Sequence, residues 1–327
     1  MSLTGAARLA AVTKRGGITL VLGAGLSVAY GVPGWGTLVE RLWKRAFRKR
    51  RPLPRMEGIP QFLPFALELI ARELGPGAFL RALRGELYGK VRAPAAAEML
   101  RSEGSLATLS RLLVQEHARG PERRIQRVIT FNVDDLIEQS VWALAPNRRV
   151  LKTVVRASQH PERGLGDPPI ALYHLHGFLP FSKTSAWHEE APDCLVFTDA
   201  QYWGLVAEPL SFPNRVMSFA LHDSRCVFIG LSMTDMNILR WLATRAVEIE
   251  DDKRGQFSRR TRKDAAAEAR SERQALRRHF WLRPEGDDVT GFLTECLDLR
   301  GVSAVPVQAW HGPSFRTLVE TCFPKSR

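Results

Sequence analysis

A glycine-rich turn follows the first apolar run of the chain and has the composition of a phosphate-binding loop. The run Ile18–Leu22 leads directly into Gly23-Ala24-Gly25-Leu26-Ser27, and Gly31-Val32-Pro33-Gly34-Trp35 closes the turn. Glycines suit such a loop because a Cβ would keep phosphates away from the backbone N–H groups. We expect a helix after the turn to direct its positive end at the phosphates. The same pattern is also a common tight turn, so it needs support from the rest of the chain.

Three later segments place polar side chains directly after an apolar run. They are Val128–Asp135, Ala171–Gly177 and Val227–Asp235. In an open α/β sheet the ligand lies outside the carboxyl ends of the strands, so these polar groups should converge on one crevice. Asn132 can donate and accept hydrogen bonds, and His176 can take a proton near neutral pH. Together they could hold a water molecule and activate it.

The elements that position these residues follow an α/β pattern. Several apolar runs lack period-2 alternation, which is typical of strands buried on both faces. We predict strands at 18–22, 128–129, 150–155, 170–175, 195–197, 226–229 and 302–307. Apolar residues recur at helical spacing from Leu38 to Arg124, which indicates a helical insertion. The expected fold is an α/β, Rossmann-like parallel sheet with helices on both faces.

The predicted domain organisation follows from this insertion. Residues 1–37 form the first part of the Rossmann-like domain, residues 38–124 the helical module, and residues 125–327 the remainder. The basic stretch Lys253–Lys263 is expected to be a surface loop between helices near 236–249 and 265–278, because it carries glycine and serine and little apolar surface.

The order of these motifs resembles the sirtuin family. GAGxS at Gly23–Ser27, a following G-x-P-x-W, T-x-N-x-D at Thr130–Asp134, the pair His176-Gly177 and the turn Gly230-Leu231-Ser232 occur in the family's order. The chain differs from the protein deacetylases in the first loop and at Phe131, and it has no paired cysteines for a zinc ribbon. It looks more like the sirtuin-like NAD hydrolases of bacterial anti-phage defence systems, which carry a helical insertion.

The resemblance implies NAD as substrate and assigns catalysis to Asn132 and His176. Loss of nicotinamide from an oxocarbenium-like ribose requires chiefly that the ribose and a nucleophile be positioned and charge be stabilised. Asn132 could hold a water and a ribose hydroxyl, and His176 could take a proton from either. The remaining NAD contacts are predicted at Gly23, Ala24, Gly25, Ser27, Pro33, Trp35, Thr130, Asp134, Gly230, Ser232 and Asp235. By resemblance, Asp134 contacts the nicotinamide amide.

Plainer structural roles remain open for the two catalytic candidates. Asn132 could be a turn residue that bonds its own backbone, and His176 an ordinary loop histidine. His174 lies two residues upstream and, by period 2, on the same strand face as His176, so it competes for the catalytic role. The family pattern places the histidine immediately before the glycine, which favours His176.

Alternatives also remain for three of the binding residues. Asp135 could be the helix N-cap beside Asp134, and Asp235 could cap a helix that begins near Met236. Trp35 could shield the ribose from water or simply anchor its loop in the core. The basic segment Arg41–Arg51 occupies the region where a dinucleotide fold usually places its ribose-binding acid, which argues against a dehydrogenase.

The charge of the chain favours an anionic partner. The 327 residues carry a net charge of +13 with a pI near 10.2. The basic faces at Arg41–Arg51 and Lys253–Lys263 could contact nucleic acid or an acidic partner subunit, or could be solvated surfaces. Few aromatic residues lie among these charges, so base stacking is poorly supported.

The cysteines and the amino terminus bear on location and metal content. The cysteines Cys194, Cys226, Cys296 and Cys322 are far apart in sequence, so neither zinc nor disulfides are predicted. No apolar run approaches the roughly 20 residues of a membrane span. We therefore expect a cytoplasmic protein without membrane contact and without zinc.

The sequence thus predicts an NAD hydrolase that yields nicotinamide and ADP-ribose. By resemblance it would deplete NAD as a defence effector, as a homo-oligomer or with a HerA-type ATPase or argonaute-like partner that switches it on. Protein deacylation or ADP-ribosyl transfer with the same residues is an alternative. A catalytically idle NAD sensor or assembly subunit is another.

Overall fold

The computed structural model describes residues 5–48, 50–54, 62–159, 168–181, 191–257, 278–285 and 288–324. Their strands are β1 (Ile18–Leu22), β2 (Ile125–Thr130), β3 (Leu151–Val154), β4 (Ile170–His174), β5 (Arg225–Ile229), β6 (His279–Pro284) and β7 (Val302–Val307). These seven strands form one parallel sheet in the order β3-β4-β2-β1-β5-β6-β7. This confirms the predicted parallel α/β architecture.

Helices cover both faces of the sheet. They are α1 (Gly5–Thr13), α2 (Trp35–Phe47), α3 (Phe62–Leu74), α4 (Pro76–Tyr88), α5 (Ala96–Arg101), α6 (Ser105–His117), α7 (Leu136–Leu144), α8 (Asp199–Ala207), α9 (Phe212–Asp223), α10 (Met236–Phe257), α11 (Asp288–Asp298) and α12 (Pro313–Cys322). One buried cluster joins a sheet face to α1–α7 and α12, and a second joins the other face to α9–α11. The strands are buried on both sides, which explains their continuous apolar runs.

The chain leaves β1 toward one edge of the sheet and leaves β5 toward the other edge. From β1 the chain reaches β2 on one side, and after β4 it returns to β5 on the other side of β1. Crevices for ligands form at such reversals, outside the carboxyl ends of the strands. The topology therefore points to the ends of β1, β2, β4 and β5 as the place for a site.

Helices α2–α6 occupy the predicted insertion between β1 and β2. In α2 one apolar face is buried, and Arg51 stacks on the rings of Trp43 and Phe47. Lys44 pairs with Glu40, and Arg50 pairs with a glutamate of α3. Exposed pairs of this kind contribute little to stability, but they neutralise part of the basic face.

Three sequence-based assignments differ from the structure. The predicted strand 195–197 is an irregular segment, because the Gln201 side chain accepts the N–H groups of Phe197 and Thr198 and begins α8. Strand β6 was not predicted, since its apolar run is short and follows a charge-rich segment. Helix α10 continues to Phe257, so Lys253–Phe257 is helical rather than a loop.

The other parts of that basic region are not described. Residues 258–277, which carry most of the basic stretch and of the second expected helix, lie outside the described residues. Among the helices that are described, none is long and apolar enough to cross a membrane.

Candidate functional site

Backbone hydrogen bonds tie together the four strand ends that carry the predicted site. Gly23 N donates to Ile229 O, and Gly25 N donates to Gly230 O, which joins the turns after β1 and β5. Phe131 N donates to Leu22 O, which extends the contact between β1 and β2. The segments that the sequence analysis selected therefore meet at one edge of the sheet.

The glycine turn after β1 differs from the expected turn and helix. It forms two short 3₁₀ turns, Ala24–Leu26 and Val28–Tyr30, and the next α-helix begins only at Trp35. A single 3₁₀ turn lacks the summed dipole of a long helix, so the expected helix does not follow the glycine turn directly.

Most backbone N–H groups of this turn already have acceptors. Besides the bonds of Gly23 and Gly25, Leu26 N donates to Gly23 O and Ser27 N donates to Ala24 O. Ala24 is exposed, and its N–H has no acceptor among the described residues. Within Gly23–Ser27, Ala24 is thus the backbone donor that remains for a phosphate.

The glycines of the two turns are required by their close approach to each other. A Cβ on Gly25 would lie 3.0 Å from the Cα and the carbonyl oxygen of Gly230. A Cβ on Gly23 would lie 2.6 Å from the same carbonyl oxygen. Gly230 itself has a φ of +70°, which L side chains rarely adopt. The glycine pattern is explained first by packing between β1 and β5.

Asn132 is held by a chain of directed hydrogen bonds. Its Nδ2 donates to Gly23 O at 3.2 Å and to Ser27 Oγ at 3.1 Å, and Ser27 Oγ donates to Asp134 Oδ1 at 3.1 Å. Because Ser27 gives its hydrogen to the carboxylate, it can only accept from Asn132. This order fixes the amide orientation and leaves Oδ1 of Asn132 without a donor among the described residues. Its backbone N–H is held by the Thr130 hydroxyl at 3.0 Å.

Asp134 and Asp135 are both built into the start of α7. Asp134 Oδ1 accepts from Leu136 N at 3.2 Å, so the side-chain cap comes from Asp134 rather than from Asp135 as the alternative supposed. Asp135 instead accepts from Phe181 N and from Gln139 Nε2. Burial raises the pKa of Asp134 to about 6 and raises that of Asp135 as well.

His174 and His176 point to opposite sides, contrary to the expectation that they share a strand face. β4 ends at His174, and the chain turns at Leu175 and His176. His174 Nδ1 lies 2.9 Å from Asn132 O, and its Nε2 lies 2.9 Å from Glu138 Oε1. Both ring nitrogens of His174 are thereby engaged, so it offers no free position to a substrate.

His176 lies in an aromatic pocket with a nitrogen that has no partner. Its ring makes edge contacts with Phe131 at 4.9 Å and with Tyr202 at 5.5 Å between centroids. Nε2 is buried and makes no hydrogen bond among the described residues. Burial lowers the pKa of His176, and nearby Asp235 opposes this only in part. The imidazole is therefore neutral at pH 7 and able to accept a proton.

The turn after His176 can be made only by glycine. Gly177 has a φ of +86°, and a Cβ there would lie 2.6 Å from the backbone of Cys194 and Leu195. The close approach lets Val196 N donate to His176 O at 3.1 Å. Segment 194–196 thus fixes the backbone that carries the histidine.

Asp235 combines the predicted helix cap with a second contact. Its Oδ1 accepts from the N–H groups of Asn237 and Ile238 at the start of α10, and its Oδ2 accepts from the Tyr202 hydroxyl at 2.9 Å. Ser232 is exposed and shares a hydrogen bond with the Thr234 hydroxyl at 2.7 Å. Between them Met233 is buried with a φ of +58°, a strained conformation for a non-glycine residue.

Trp35 and Pro33 lie on the turn that closes the first loop. Trp35 is half-buried, and its ring lies 5.2 Å from that of Phe197. Pro33 is also half-buried. Trp35 thus anchors its loop to the segment before α8 and keeps part of its ring exposed.

Sequence reasoning missed two contributors to the site. Tyr202 lies on α8, which a Thr198-x-x-Gln201 capping box could have revealed. Glu138 lies one turn into α7, four residues after Asp134, where a buried glutamate signals a buried cation. Neither residue follows an apolar run directly, so the pattern of polar residues at strand ends includes neither.

The residues present suit a polar substrate that offers hydroxyl groups. Among the described residues, the buried Nε2 of His176 has no partner and Oδ1 of Asn132 receives no hydrogen bond, so both can accept from hydroxyls or water. In the described part of the chain, no group of three or more His, Cys, Asp or Glu residues is arranged to hold a metal ion. The arrangement can hold and deprotonate a hydroxyl or a water molecule.

Two solved structures resemble the fold over nearly its whole length. One, from work on the mechanism and regulation of Sir2 enzymes, has 11% identity and a TM-score of 0.46 and covers 99% of this chain and 97% of its own. The other, a Sir2 homologue in complex with NAD, has 12% identity and a TM-score of 0.41 and covers 96% and 91%. No curated protein sequence matches the chain.

A family comparison covers the part of the chain with the candidate catalytic residues. Residues 126–290 match the model of the SIR2-like domain family, which is just over half of the chain. The matched range contains Asn132, His176 and the Gly230–Asp235 turn, and it begins after the glycine turn of β1. The chain therefore belongs to the SIR2-like domain family.

Proposed function

We propose that the chain hydrolyses NAD to nicotinamide and ADP-ribose. Its SIR2-like family suggests an NAD-related enzymatic function. The observation that carries the finer proposal is His176, a buried, neutral histidine whose Nε2 has no partner among the described residues. It lies at the end of β4, beside the strand β2 that presents Asn132 with its amide orientation fixed.

The proposed reaction exchanges one bond at the ribose. The bond between ribose C1′ and the nicotinamide nitrogen breaks, and its electron pair neutralises the departing ring. Water oxygen bonds to C1′, and the proton of the water leaves through His176 to solvent. Asn132 Oδ1 accepts from the attacking water or from a ribose hydroxyl and orients it. The buried setting strengthens these polar contacts.

The products of NAD in ¹⁸O-labelled water test this proposal. We expect nicotinamide and ADP-ribose in equal amounts, with the label at C1′ of the ribose. Formation of O-acetyl-ADP-ribose from an acetylated peptide would favour the deacylase alternative, and labelled protein would favour ADP-ribosyl transfer. Intact NAD after prolonged incubation, with binding retained, would favour an NAD sensor.

We further propose that the enzyme is an NAD-depleting defence effector that a partner or self-assembly activates. The motif order and the helical insertion support this by resemblance, and the positive charge suits an acidic partner or nucleic acid. We expect low hydrolysis by the isolated chain and stimulation on assembly. Changing Arg259, Arg260, Arg262 and Lys263, which lie outside the described residues, to Glu should remove the stimulation. Full activity of the purified monomer would contradict the proposal.

A further inference from the structure

A buried ion pair lies directly behind the backbone of Asn132. His174 is 1% exposed and lies between Asn132 O and Glu138 Oε1, each 2.9 Å from one ring nitrogen. A carbonyl oxygen and a carboxylate oxygen both accept hydrogen bonds, so both ring nitrogens must donate. Only the imidazolium form of histidine has two donors. With Glu138 ionised, both contacts are satisfied only when His174 is a cation.

Two rigid elements hold this cation in place. Glu138 lies on α7, and its Oε1 also accepts from the Thr153 hydroxyl of β3 at 2.8 Å. Glu138 is 5% exposed, so its charge is compensated inside the protein rather than by water. The ring of Phe178, at 4.6 Å between centroids, covers His174 from another side. The pair is thus fixed independently of the loop that it contacts.

The contact falls on the peptide group that sets the direction of the Asn132 side chain. The hydrogen bond from His174 to Asn132 O fixes the peptide plane on one side of the residue, and the bond that the Asn132 N–H donates to the Thr130 hydroxyl oxygen fixes the other side. The next carbonyl, Val133 O, accepts from Leu179 N at 2.8 Å. Side chains that act on a reacting centre need support of this kind to hold their geometry.

We propose that His174, as a cation paired with Glu138, is a positioning residue that holds the Asn132 amide in its reactive orientation. The inference rests on the proposed NAD hydrolysis for its kinetic consequence, and its structural part is independent of that reaction. His174 acts through the backbone of Asn132 and does not touch the substrate. His176 remains the proton acceptor.

The charge of His174 makes this support dependent on pH. The carboxylates that act on the charge of His174 are Glu138 and Asp134. Asp135 and Tyr88 lie next to these carboxylates. Burial would lower the pKa of His174, but the charge and hydrogen bond of Glu138 outweigh it, and the pKa is raised. The support is present at and below pH 6.5, the ordinary histidine value, and is lost as the pH rises through the raised pKa of His174.

Glu138→Gln tests the kinetic part of the proposal. The amide keeps the size and the acceptor but removes the charge that maintains the cation. We expect kcat to fall about 10-fold to 100-fold, as for small displacements of reacting groups, with little change in NAD affinity. The alkaline limb of the pH profile should move toward neutral pH.

Glu116→Gln is the matched control, because Glu116 is equally buried and paired with Arg124 away from this site. It should lower stability and leave kcat and the alkaline limb unchanged. The same shift of the limb in both variants, or wild-type kcat in Glu138→Gln, would overturn the positioning role.

A measurement on the wild-type protein tests the positioning contact without variants, which could misfold, and without an activity assay. In ¹⁵N NMR both ring nitrogens of His174 should be protonated at pH 7, and the Asn132 side-chain amide should shift in step with the titration of His174. A neutral His174 at pH 7, or an Asn132 amide that ignores this titration, would overturn the proposal. If NAD stays intact while these resonances move together, the proposed function fails and the positioning contact stands.

Discussion

The turns after β1 and β5 and the ends of β2 and β4 form opposite halves of the site. In the first half the backbone groups satisfy one another, and glycines let the two turns touch. In the second half, polar side-chain atoms such as His176 Nε2 have no partner among the described residues. The glycine motif is therefore chiefly a packing device here. We propose that the chemistry takes place in the other half.

The largest effect is expected for Gly25→Val. A side chain there meets the Gly230 backbone at 3.0 Å and would push apart the two turns beside which the pyrophosphate is predicted to bind, so NAD binding should be lost. The crowding should also lower the free energy of unfolding by about 1–3 kcal/mol. Calorimetry with NAD and chemical denaturation measure the two effects separately.

Gly34→Val is the matched control, since nothing lies within 4 Å of a Cβ at Gly34. It should bind NAD normally. If the folded Gly25→Val protein binds NAD like the wild type, the phosphates lie elsewhere and the two halves of the site must be assigned anew.

The next largest effect is expected for Asn132→Ala, at the end of β2. Removing the amide takes away the group that orients the water or ribose, so NAD turnover should fall at least about 100-fold. The fold should persist, because only the bonds to Gly23 O and Ser27 Oγ are lost. Nicotinamide release and thermal unfolding provide the comparison, with the exposed Asn147→Ala as control. Equal turnover in both variants would remove Asn132 from the mechanism.

The smallest expected effect concerns pH. Because burial lowers the pKa of His176, the imidazole stays neutral as pH falls through about 6.5, the ordinary histidine value. Turnover should therefore decline only below that pH. Asp134, with a pKa of about 6, titrates nearby and could also produce an acid limb. If the limb belongs to His176, it keeps its position in the Asp134→Asn variant. An acid limb at or above 6.5 would mean that His176 is solvated during turnover.

Much of the fold was accessible from the sequence because buried parallel strands are continuous apolar runs. Such runs located β1 and β5, and the motifs after them mark the strand ends that carry the candidate site. β6 escaped because its apolar run is short, and segment 195–197 misled because side-chain caps outweigh an apolar run. Local composition cannot weigh such competing hydrogen bonds.

The detailed roles in the site could not be obtained from the sequence. Alternation placed His174 and His176 on one face, but the chain turns after His174. As a result, both ring nitrogens of His174 are engaged, whereas Nε2 of His176 has no partner among the described residues. Ser27, predicted to contact NAD, is fully buried and used between Asn132 and Asp134. These assignments depend on which hydrogen bonds form between distant segments.

Single-turnover release of nicotinamide tests most directly the proposal that NAD is hydrolysed beside Nε2 of His176. The enzyme is held in excess over NAD, so slow basal hydrolysis is measurable without an activator, and the half-exposed His222→Ala serves as control. We expect nicotinamide and ADP-ribose from the wild type and the control, and a rate at least about 100-fold lower from folded His176→Ala. Equal rates from wild type and His176→Ala, or no release from the wild type, would contradict it.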